Sequence, residues 1–288
     1  MYPVIFEFGG FVISSYGLML VVAFYTCNIL LRKIIVSERM DAKVADEIIF
    51  RAAIGGILGA KLYYIIENIS NGYAESNIVG LFNIFKGLLT FDLGLLSSGI
   101  QNFGSGMVFL GGLIGGTIAV SLYIRKNNLI WVQVADWVAP LIALGHGIGR
   151  IGCLLVGDDY GRPTNLPWGI KFDNGLPISN AYNLRNLGAT VDSSISDATV
   201  LAVHPTQIYE MTIYFLIFFF LTKIRKTTLY TFKGQLMYEY LFLAGFGRFV
   251  IEFIRLNPIY IFNLTGAQII STFMMILGSS MFYLNKTK

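Results

Sequence analysis

The chain has 288 residues, of which 55% are apolar and 13% carry a charge, and its mean hydropathy is +0.65. Soluble domains carry about twice this share of charged residues, so the composition excludes an ordinary soluble, fibrous or disordered protein. The net charge of +4 is small, and nucleic-acid binding is not expected. We interpret the chain as an all-α polytopic membrane protein that forms one integral domain in the lipid bilayer over residues 1–288. Its N-terminal run lacks a basic stretch, so no removable signal peptide is predicted.

Several segments are apolar and long enough to cross a bilayer as helices, because a span needs about 20 residues. They lie near residues 12–35, 48–66, 107–124, 132–156, 207–222, 235–254 and 267–284. The stretch 80–96 is also apolar, but Lys86, Asp92 and glycines interrupt it. That composition is typical of a segment that lies in the membrane interface. The pattern therefore predicts about seven transmembrane helices.

Lysine and arginine residues are shared unevenly between the predicted loops. They are frequent after the first, third and fifth spans and sparse in the alternate loops. Because short loops rich in these residues stay in the cytoplasm, we predict an outside N-terminus and a cytoplasmic C-terminus. The polar segment 157–206 would then face outward as a small extramembrane cap after the fourth helix. Within it, Asn174 and Gly175 favour the turn of a two-stranded hairpin.

Glycines gather on the second and third predicted spans. They are Gly55, Gly56 and Gly59, followed by Gly111, Gly112, Gly115 and Gly116. Small residues at such spacings let helix backbones approach closely in a membrane. We expect close helix contacts at these faces, and packing alone is the simplest explanation for them.

The fourth predicted span contains Asp136 and the glycine-rich run LGHGIGRIG, which carries His146 and Arg150 one helical turn apart. An ionisable side chain at membrane depth costs roughly 2.5 to 3.5 kcal/mol, so it should face a cavity or a partner. Arg150 has no acidic residue three or four positions away, and we interpret it as an anion contact. The simpler interpretation of His146 is an ordinary hydrogen-bonded histidine.

Polar residues also occur at both ends of the segment that connects the fourth and fifth predicted spans. The turn GDDYGRP offers Asp158 and Asp159 at the outer interface, although such a turn is commonly a solvated tip. The fifth span opens with HPTQIYE, in which a proline suits the first helical turn. His204, Gln207 and Glu210 stand at spacings of three there and are predicted to share one side of the helix.

The sixth predicted span carries Arg248, Glu252 and Arg255 at positions i, i+4 and i+7, which places them on one helical face. One carboxylate cannot neutralise two guanidinium groups. We therefore predict that one positive charge is left over and binds an anion. The alternative is a structural ladder of ion pairs near the helix end.

Together these groups predict an outward-facing pocket with at least two uncompensated arginines, to which Tyr16 of the first span adds a hydroxyl. The planar guanidinium group suits phosphate, so we expect a ligand that combines a phosphate with apolar tails, such as a phospholipid. No P-loop, HExxH, GxSxG or paired-cysteine pattern occurs, and Cys27 and Cys153 stand alone. We expect neither a bound metal nor a cofactor.

Four ordered motifs resemble the bacterial prolipoprotein diacylglyceryl transferases. They are FLGGLIGG, GHGIGRIGCLLVGDDYGRPTNLPWG, HPTQIYE and GRFVIEFIR. The resemblance covers nearly the whole chain and implies a seven-span enzyme of the bacterial inner membrane with its N-terminus outside. It implies transfer of the diacylglyceryl group of phosphatidylglycerol to the lipobox cysteine thiol of a preprolipoprotein. The products would be a thioether and glycerol phosphate.

The resemblance also implies roles for particular residues. Arg150 and Arg248 stand at arginines regarded as essential in the family, and Asp158 stands at the glutamate of its signature. Further matching positions are Tyr16, Glu252 and Arg255.

Three positions depart from the family pattern. Leu110 stands where many members have a histidine proposed as the base, and Cys153 and Val156 replace asparagines of the signature. We hypothesise that His146 or Asp158 takes the thiol proton instead. Two other functions stay open: a noncatalytic phospholipid-binding membrane protein of the same fold, and a transporter.

Overall fold

The computed structural model describes residues 1–8, 11–69, 74–104 and 106–286. Helices make up most of the described chain. They are α1 (Ser15–Ser37), α2 (Lys43–Asn68), α3 (Ala74–Thr90), α4 (Leu93–Gly104), α5 (Phe109–Lys126), α6 (Trp131–Val156), α7 (Ala181–Asn186), α8 (Thr206–Arg225), α9 (Gln235–Glu252) and α10 (Gly266–Lys286). The short strands are β1 (Val4–Phe8), β2 (Phe11–Ser14), β3 (Ile170–Lys171) and β4 (Ala202–Val203).

A helix lies at each of the predicted spans. Within the described residues, five helices, α1, α2, α6, α8 and α10, are long and apolar enough to cross a membrane. The other two predicted spans correspond to α5 and α9, which have 18 residues each. The chain is therefore an all-α, multi-pass membrane protein, as the composition predicts. The stretch 80–96 falls on α3 and α4, which are separated at Phe91, where φ is +52°.

The helix surfaces are strongly apolar. Large side chains such as Phe219, Phe273 and Leu62 are at least 60% exposed in the folded chain. A water-soluble protein rarely exposes a continuous apolar surface of this kind, whereas the hydrocarbon of a bilayer covers it without cost. This exposure agrees with the membrane character of the chain.

The chain forms two compact units. The first contains Met1–Phe6, Val12–Ile34 and Val132–Lys288, and the second contains Glu7–Phe11 and Ile35–Trp131. In the first unit, α6, α8 and α9 enclose a buried apolar core. Its residues are Ala139, Ala143, Tyr214, Ile217, Leu221, Ile224, Leu236, Tyr240 and Ala244. Two alanines on α6 leave room for the larger side chains of α8 and α9.

Asp136 of α6 stabilises the start of α9. Its carboxylate accepts hydrogen bonds from the backbone N–H groups of Gly234 (2.6 Å) and Met237 (3.1 Å) and from the Tyr230 hydroxyl (2.8 Å). The first turn of α9 contains no acidic residue of its own. Asp136 therefore supplies both the missing acceptors and a negative charge at the positive end of that helix.

The polar segment 157–206 contributes Tyr160, Phe172, Leu184 and Val203 to a small buried cluster, against which residues outside the segment, including Leu154 and Leu256, also pack. Strand β3 pairs with β4 in antiparallel register, with Ile170 opposite Val203. The predicted hairpin across Asn174 and Gly175 is therefore wrong, because the partner strand comes some thirty residues later. Ser179 closes the Asn174 turn instead, since its hydroxyl accepts a bond from the Phe172 N–H at 3.0 Å.

The second unit is built on α2 and α5, whose glycine faces meet directly. A Cβ atom added at Gly55 would lie 2.7 Å from the Gly115 carbonyl oxygen, and one added at Gly59 would clash with the Gly111 carbonyl. The prediction of close helix contacts at these glycines is confirmed. In the same unit the buried Lys61 donates to the Asn77 side chain (2.7 Å) and the Gly106 carbonyl (2.9 Å).

Candidate active site

Three helices and one turn of the first unit bring charged side chains together. The second half of α6 carries His146 and Arg150, and α9 carries Arg248 and Glu252 near its end. Pro205 immediately precedes α8, a position where its missing N–H group leaves no helical hydrogen bond unmade. Since α8 begins at Thr206, Glu210 lies in its second turn. These charged side chains form a cluster of ion pairs within apolar surroundings.

Glu210 is the centre of this group. Its Oε2 lies 2.7 Å from Arg150 Nε, and its Oε1 lies 2.7 Å from Arg248 Nη1 and 3.3 Å from Arg255 Nη1. Its side chain is only 1% exposed. A buried carboxylate requires compensation for lost hydration. Arg248 and Arg255 donate hydrogen bonds to Oε1, and Arg150 forms an ion pair with Oε2. The structure thus brings Arg150 and Arg248, from separate helices, to one carboxylate.

Glu252 is the second buried carboxylate. Its Oε2 lies 3.0 Å from Arg248 Nη2 and 3.8 Å from Arg255 Nε. Its Oε1 accepts hydrogen bonds from the Asn257 amide (2.6 Å) and the Thr265 hydroxyl (2.8 Å). Since α9 ends at Glu252, Arg255 lies beyond the helix but still reaches the same carboxylate.

Asp159 completes the arginine cluster, by which we mean Arg150, Arg248, Arg255, Glu210, Glu252 and Asp159. The Asp159 carboxylate lies 2.6 Å from Arg150 Nη1 and 2.8 Å from Arg255 Nη2. The prediction of uncompensated arginines is therefore wrong, because each arginine of the cluster pairs with at least one carboxylate. The partners come from α8 and from the turn after α6, and helical spacing within one span cannot reveal them.

His146 lies beside the arginine cluster. Its Nε2 is 3.7 Å from Glu210 Oε2, and its ring stacks on Tyr214 with 3.7 Å between the ring centroids. Tyr214 stands one helical turn after Glu210 on α8 and is buried. The histidine is thus fixed in orientation by an aromatic ring on one side and a carboxylate on the other.

The turn that carries Asp158 and Asp159 is held by the start of α8. The Thr206 hydroxyl donates to the Asp159 carbonyl at 2.6 Å, and the Gln207 amide donates to the Asp158 carbonyl. Burial, together with the negative charge of Asp159, raises the pKa of Asp158 to about 6. The positive charges of Arg255 and Arg150 outweigh burial at Asp159 and lower its pKa to about 2. The two neighbouring carboxyl groups therefore have different proton affinities.

Other predicted site residues lie in different surroundings. Gln207 is buried and binds the turn, whereas His204 precedes α8 and its Nδ1 lies 3.3 Å from the Tyr209 hydroxyl. The prediction that His204 shares a helix side with Glu210 is wrong because the helix has not begun at residue 204. Tyr16 lies in the first turn of α1, where Gly152 of α6 permits close packing against its Cα.

One further set of possible ligands occurs beside the arginine cluster. Cys153, Asp158 and Asp159 offer atoms within 4.8 Å of one another. Arg150 and Arg255 already contact both oxygens of Asp159, and their positive charges oppose a metal ion at that position. Both oxygens of Asp159 are therefore engaged by arginines in this structure.

Sequence reasoning missed the partners that orient the cluster. Thr206 and Tyr214 carry no signal distinguishing them from ordinary helix residues, and Asp159 was indistinguishable from a solvated tip. Asn257 follows α9 and Thr265 immediately precedes α10, and both contact Glu252. Neither contact was foreseeable from one sequence.

Comparison with known proteins decides the family. The family model described as prolipoprotein diacylglyceryl transferase matches residues 3–284. The chain belongs to the prolipoprotein diacylglyceryl transferase family. A protein of Clostridium tetani named phosphatidylglycerol–prolipoprotein diacylglyceryl transferase is 33% identical over 296 residues, covering 99% of this chain and 98% of that protein.

Two further relatives with the same name are similar over most of the chain. One from Xanthomonas oryzae is 28% identical and covers 99% of this chain and 91% of its own length. One from Burkholderia ambifaria is 28% identical and covers 88% of this chain and 82% of its own length.

The positions that depart from the transferase pattern have distinct surroundings. Cys153 is buried, and its Sγ accepts a long contact of 3.7 Å from Arg150 Nη1, so it stands where a polar acceptor would serve the same arginine. Leu110 lies in α5, in the second unit, and is 40% exposed. Val156 is the last residue of α6, immediately before the acidic turn.

Proposed function

We propose that this chain transfers the diacylglyceryl group of phosphatidylglycerol to the lipobox cysteine of a preprolipoprotein, forming a thioether and releasing glycerol phosphate. The family match over residues 3–284 carries this conclusion. The arginine cluster supports it, because guanidinium groups from two helices converge on a single point. We further propose that it works as an enzyme without a metal or cofactor.

The reaction is a displacement at carbon. The thiolate of the lipobox cysteine forms a C–S bond to the glycerol carbon, and the C–O bond to phosphate breaks. The bonding electron pair leaves with the phosphate oxygen, and the thiol proton passes to a base. Arg150 and Arg248 are fixed by Glu210 before substrate arrives, so they can stabilise the developing charge on the leaving oxygens without rearranging.

We assign the base to Asp158. Its Oδ1 is buried and, among the described residues, has no hydrogen-bond partner, which leaves it available to accept a proton. A pKa near 6 suits a general base that works close to neutral pH. His146 is the second candidate for the base. It lies beside the arginine cluster, where its Nε2 is 3.7 Å from Glu210 Oε2. Either residue would replace the family histidine whose position Leu110 occupies.

The remaining site residues divide by their contacts. We propose that Glu210 and Glu252 position the arginines, that Arg255 helps to bind the phosphate, and that Gln207 positions the acidic turn. Tyr16 and His204 are proposed contacts for the polar parts of the substrates. The lipobox peptide itself is a proposed partner, together with phosphatidylglycerol.

The proposed location is the bacterial inner membrane. We propose that α1, α2, α5, α6, α8, α9 and α10 all cross it, that the N-terminus lies outside, and that the C-terminus is cytoplasmic. Residues 1–288 would form one integral membrane domain, with 157–206 as a periplasmic cap. The polar composition of that segment and the lysine and arginine pattern of the loops support this arrangement.

A transfer assay tests the function. Purified protein is mixed with phosphatidylglycerol and a lipobox peptide, and mass spectrometry detects the added diacylglyceryl group on the peptide. Arg150→Ala and Arg248→Ala should each lower kcat by at least about a hundredfold, the loss typical of removing a charge-stabilising donor. Arg185→Ala is the matched control, because Arg185 pairs with Asp197 in the outer segment, away from the cluster.

Each outcome separates the alternatives. Transfer by the unmodified chain supports the enzyme, and phosphatidylglycerol binding without transfer identifies a noncatalytic lipid-binding protein. Movement of the lipid between leaflets without peptide modification would identify a transporter. Full activity of both arginine variants would contradict the roles assigned to Arg150 and Arg248.

A further inference from the structure

The carboxylates of the arginine cluster differ in exposure. Glu210 and Glu252 have side chains that are 1% and 0% exposed, whereas the Asp159 side chain is 42% exposed. A buried carboxylate cannot leave its partners without exposing uncompensated charge in an apolar environment. An exposed carboxylate can exchange its partners for water at much lower cost. Asp159 is therefore the exchangeable anion of the cluster.

Asp159 contacts two guanidinium groups at once. Its Oδ2 faces Arg150 and its Oδ1 faces Arg255, at 2.6 Å and 2.8 Å. A phosphodiester also presents two charged oxygens about one tetrahedral centre and carries a single negative charge. Guanidinium groups bind both kinds of anion through paired N–H donors. The carboxylate thus occupies a position that fits the headgroup phosphate of a phospholipid.

The backbone of Asp159 is held independently of its side chain. Its φ is +58°, a left-handed conformation that aspartate tolerates better than most residues. The Thr206 hydroxyl and Arg255 Nη1 both donate to the Asp159 carbonyl, at 2.6 Å and 3.2 Å. The side chain can therefore turn away by rotation about its own bonds while the turn keeps its place.

We infer that the Asp159 carboxylate is an internal counter-anion, which holds the phosphate position between Arg150 and Arg255 and is displaced when phosphatidylglycerol binds. This inference rests on the proposed function. One negative charge replaces another, so the buried arginines stay neutralised throughout binding. The displaced carboxylate remains close by and opposes a second negative charge at the site, which disfavours retention of the dianionic glycerol phosphate product.

The test compares two neutral substitutions with the same change in net charge. Asp159→Asn removes the internal anion. Asp197→Asn is the matched control, because Asp197 is 65% exposed and pairs with Arg185 in the same outer segment. Asp159→Gly is a second variant for the case in which Asp159→Asn folds poorly, since glycine readily adopts positive φ.

The readouts are the KM for phosphatidylglycerol in mixed micelles and the inhibition constant of glycerol phosphate. We expect Asp159→Asn to lower both by roughly fivefold or more, because the substrate no longer has to displace a bound anion. The larger change should occur for glycerol phosphate, because its second charge is no longer opposed. Asp197→Asn should leave both constants at their wild-type values.

A second readout does not depend on catalysis. Inorganic phosphate should raise the thermal unfolding midpoint of Asp159→Asn more than that of the wild-type protein, because only the variant presents guanidinium groups without their third carboxylate. Phosphate stabilisation without a change in the KM for phosphatidylglycerol would assign the position to free phosphate and contradict displacement by the lipid.

The outcomes distinguish the inference from the function on which it rests. A wild-type protein that fails to transfer diacylglyceryl contradicts the proposed function. If the wild type transfers and both constants are unchanged or raised in Asp159→Asn and Asp159→Gly, the counter-anion role is refuted. Equal effects of Asp159→Asn and Asp197→Asn would also refute it, since they would reflect net charge alone.

Discussion

Arg248 uses two different nitrogens to contact two carboxylates. Nη1 lies 2.7 Å from Glu210 and Nη2 lies 3.0 Å from Glu252. Lysine keeps the charge but is a single point donor, so it cannot hold both contacts. We predict that Arg248→Lys lowers kcat by at least about tenfold, because a misoriented charge stabilises the leaving phosphate poorly.

The transfer assay measures this effect. Arg185→Lys is the control, since that arginine lies in segment 157–206 with Asp197 as its partner. A wild-type kcat in Arg248→Lys would mean that charge alone is sufficient, and the fixed geometry of the cluster would then have no catalytic role.

Asp158 predicts a particular pH dependence. Its pKa is raised to about 6 by burial, with Asp159 also raising it and Cys153, Arg150 and Arg255 lowering it. Below that pH the carboxyl group is protonated and cannot accept the thiol proton. We therefore expect kcat/KM to fall as the pH decreases through about 6.

Comparison of two variants identifies the group responsible for this dependence. Asp158→Asn should slow transfer and remove the decline near pH 6, leaving only the rise due to the substrate thiol, whose pKa is about 8.5. Asp159 remains ionised over this range because its pKa is about 2, so it does not contribute a second step. If His146→Gln removes the decline in kcat/KM near pH 6 and Asp158→Asn keeps it, His146 and not Asp158 is the base.

At this scale the sequence singled out several residues that the structure brings into the arginine cluster, but not their pairing. Local spacing selects Arg150, Arg248 and Glu252 because unpaired charge in an apolar helix is informative by itself. It cannot reveal that Glu210 pairs with both Arg150 and Arg248, or that Asp159 also pairs with Arg150, since these partners lie on other parts of the chain. The wrong prediction of uncompensated arginines follows from this limit.

The glycine faces of α2 and α5 make a prediction for these two elements. A Cβ at Gly55 would lie 2.7 Å from the Gly115 carbonyl oxygen, whereas the nearest atom to a Cβ at Gly56 is 3.6 Å away. Gly55→Ala should therefore destabilise the protein by about 1 to 3 kcal/mol through overpacking. Gly56→Ala should be neutral or slightly stabilising, because alanine favours helix.

Thermal unfolding in detergent measures both variants under identical conditions. The two substitutions add the same methyl group to neighbouring positions of one helix, so only the local space differs. Equal unfolding midpoints would contradict the close contact between α2 and α5.

The positions of the long helices could be predicted, but the pairing of the short strands could not. Hydropathy locates a transmembrane helix because crossing the bilayer requires a run of about 20 mostly apolar residues. Strand β3 pairs with β4 across a connection that includes α7, and no local pattern specifies that partner. The Asn174 turn signal identified a turn correctly but gave it the wrong strands.

The whole molecule should show one orientation in the membrane. Ser193 lies in segment 157–206 and Thr228 lies between α8 and α9, and both are exposed. In intact spheroplasts, a membrane-impermeant maleimide should label Ser193→Cys but should label Thr228→Cys only after permeabilisation. The native Cys27 and Cys153 are buried and give little background. The opposite labelling pattern would contradict the orientation predicted from lysine and arginine residues.

The contact between α2 and α5 also limits how the second unit can move. Backbone lies against backbone at Gly55, Gly59, Gly111 and Gly115, so at these four positions a displacement cannot be absorbed by a change of side-chain rotamer. Neither helix can spin about its long axis or slip along its neighbour without a collision between peptide groups. If this region shifts during turnover, α2 and α5 must move together as one rigid body.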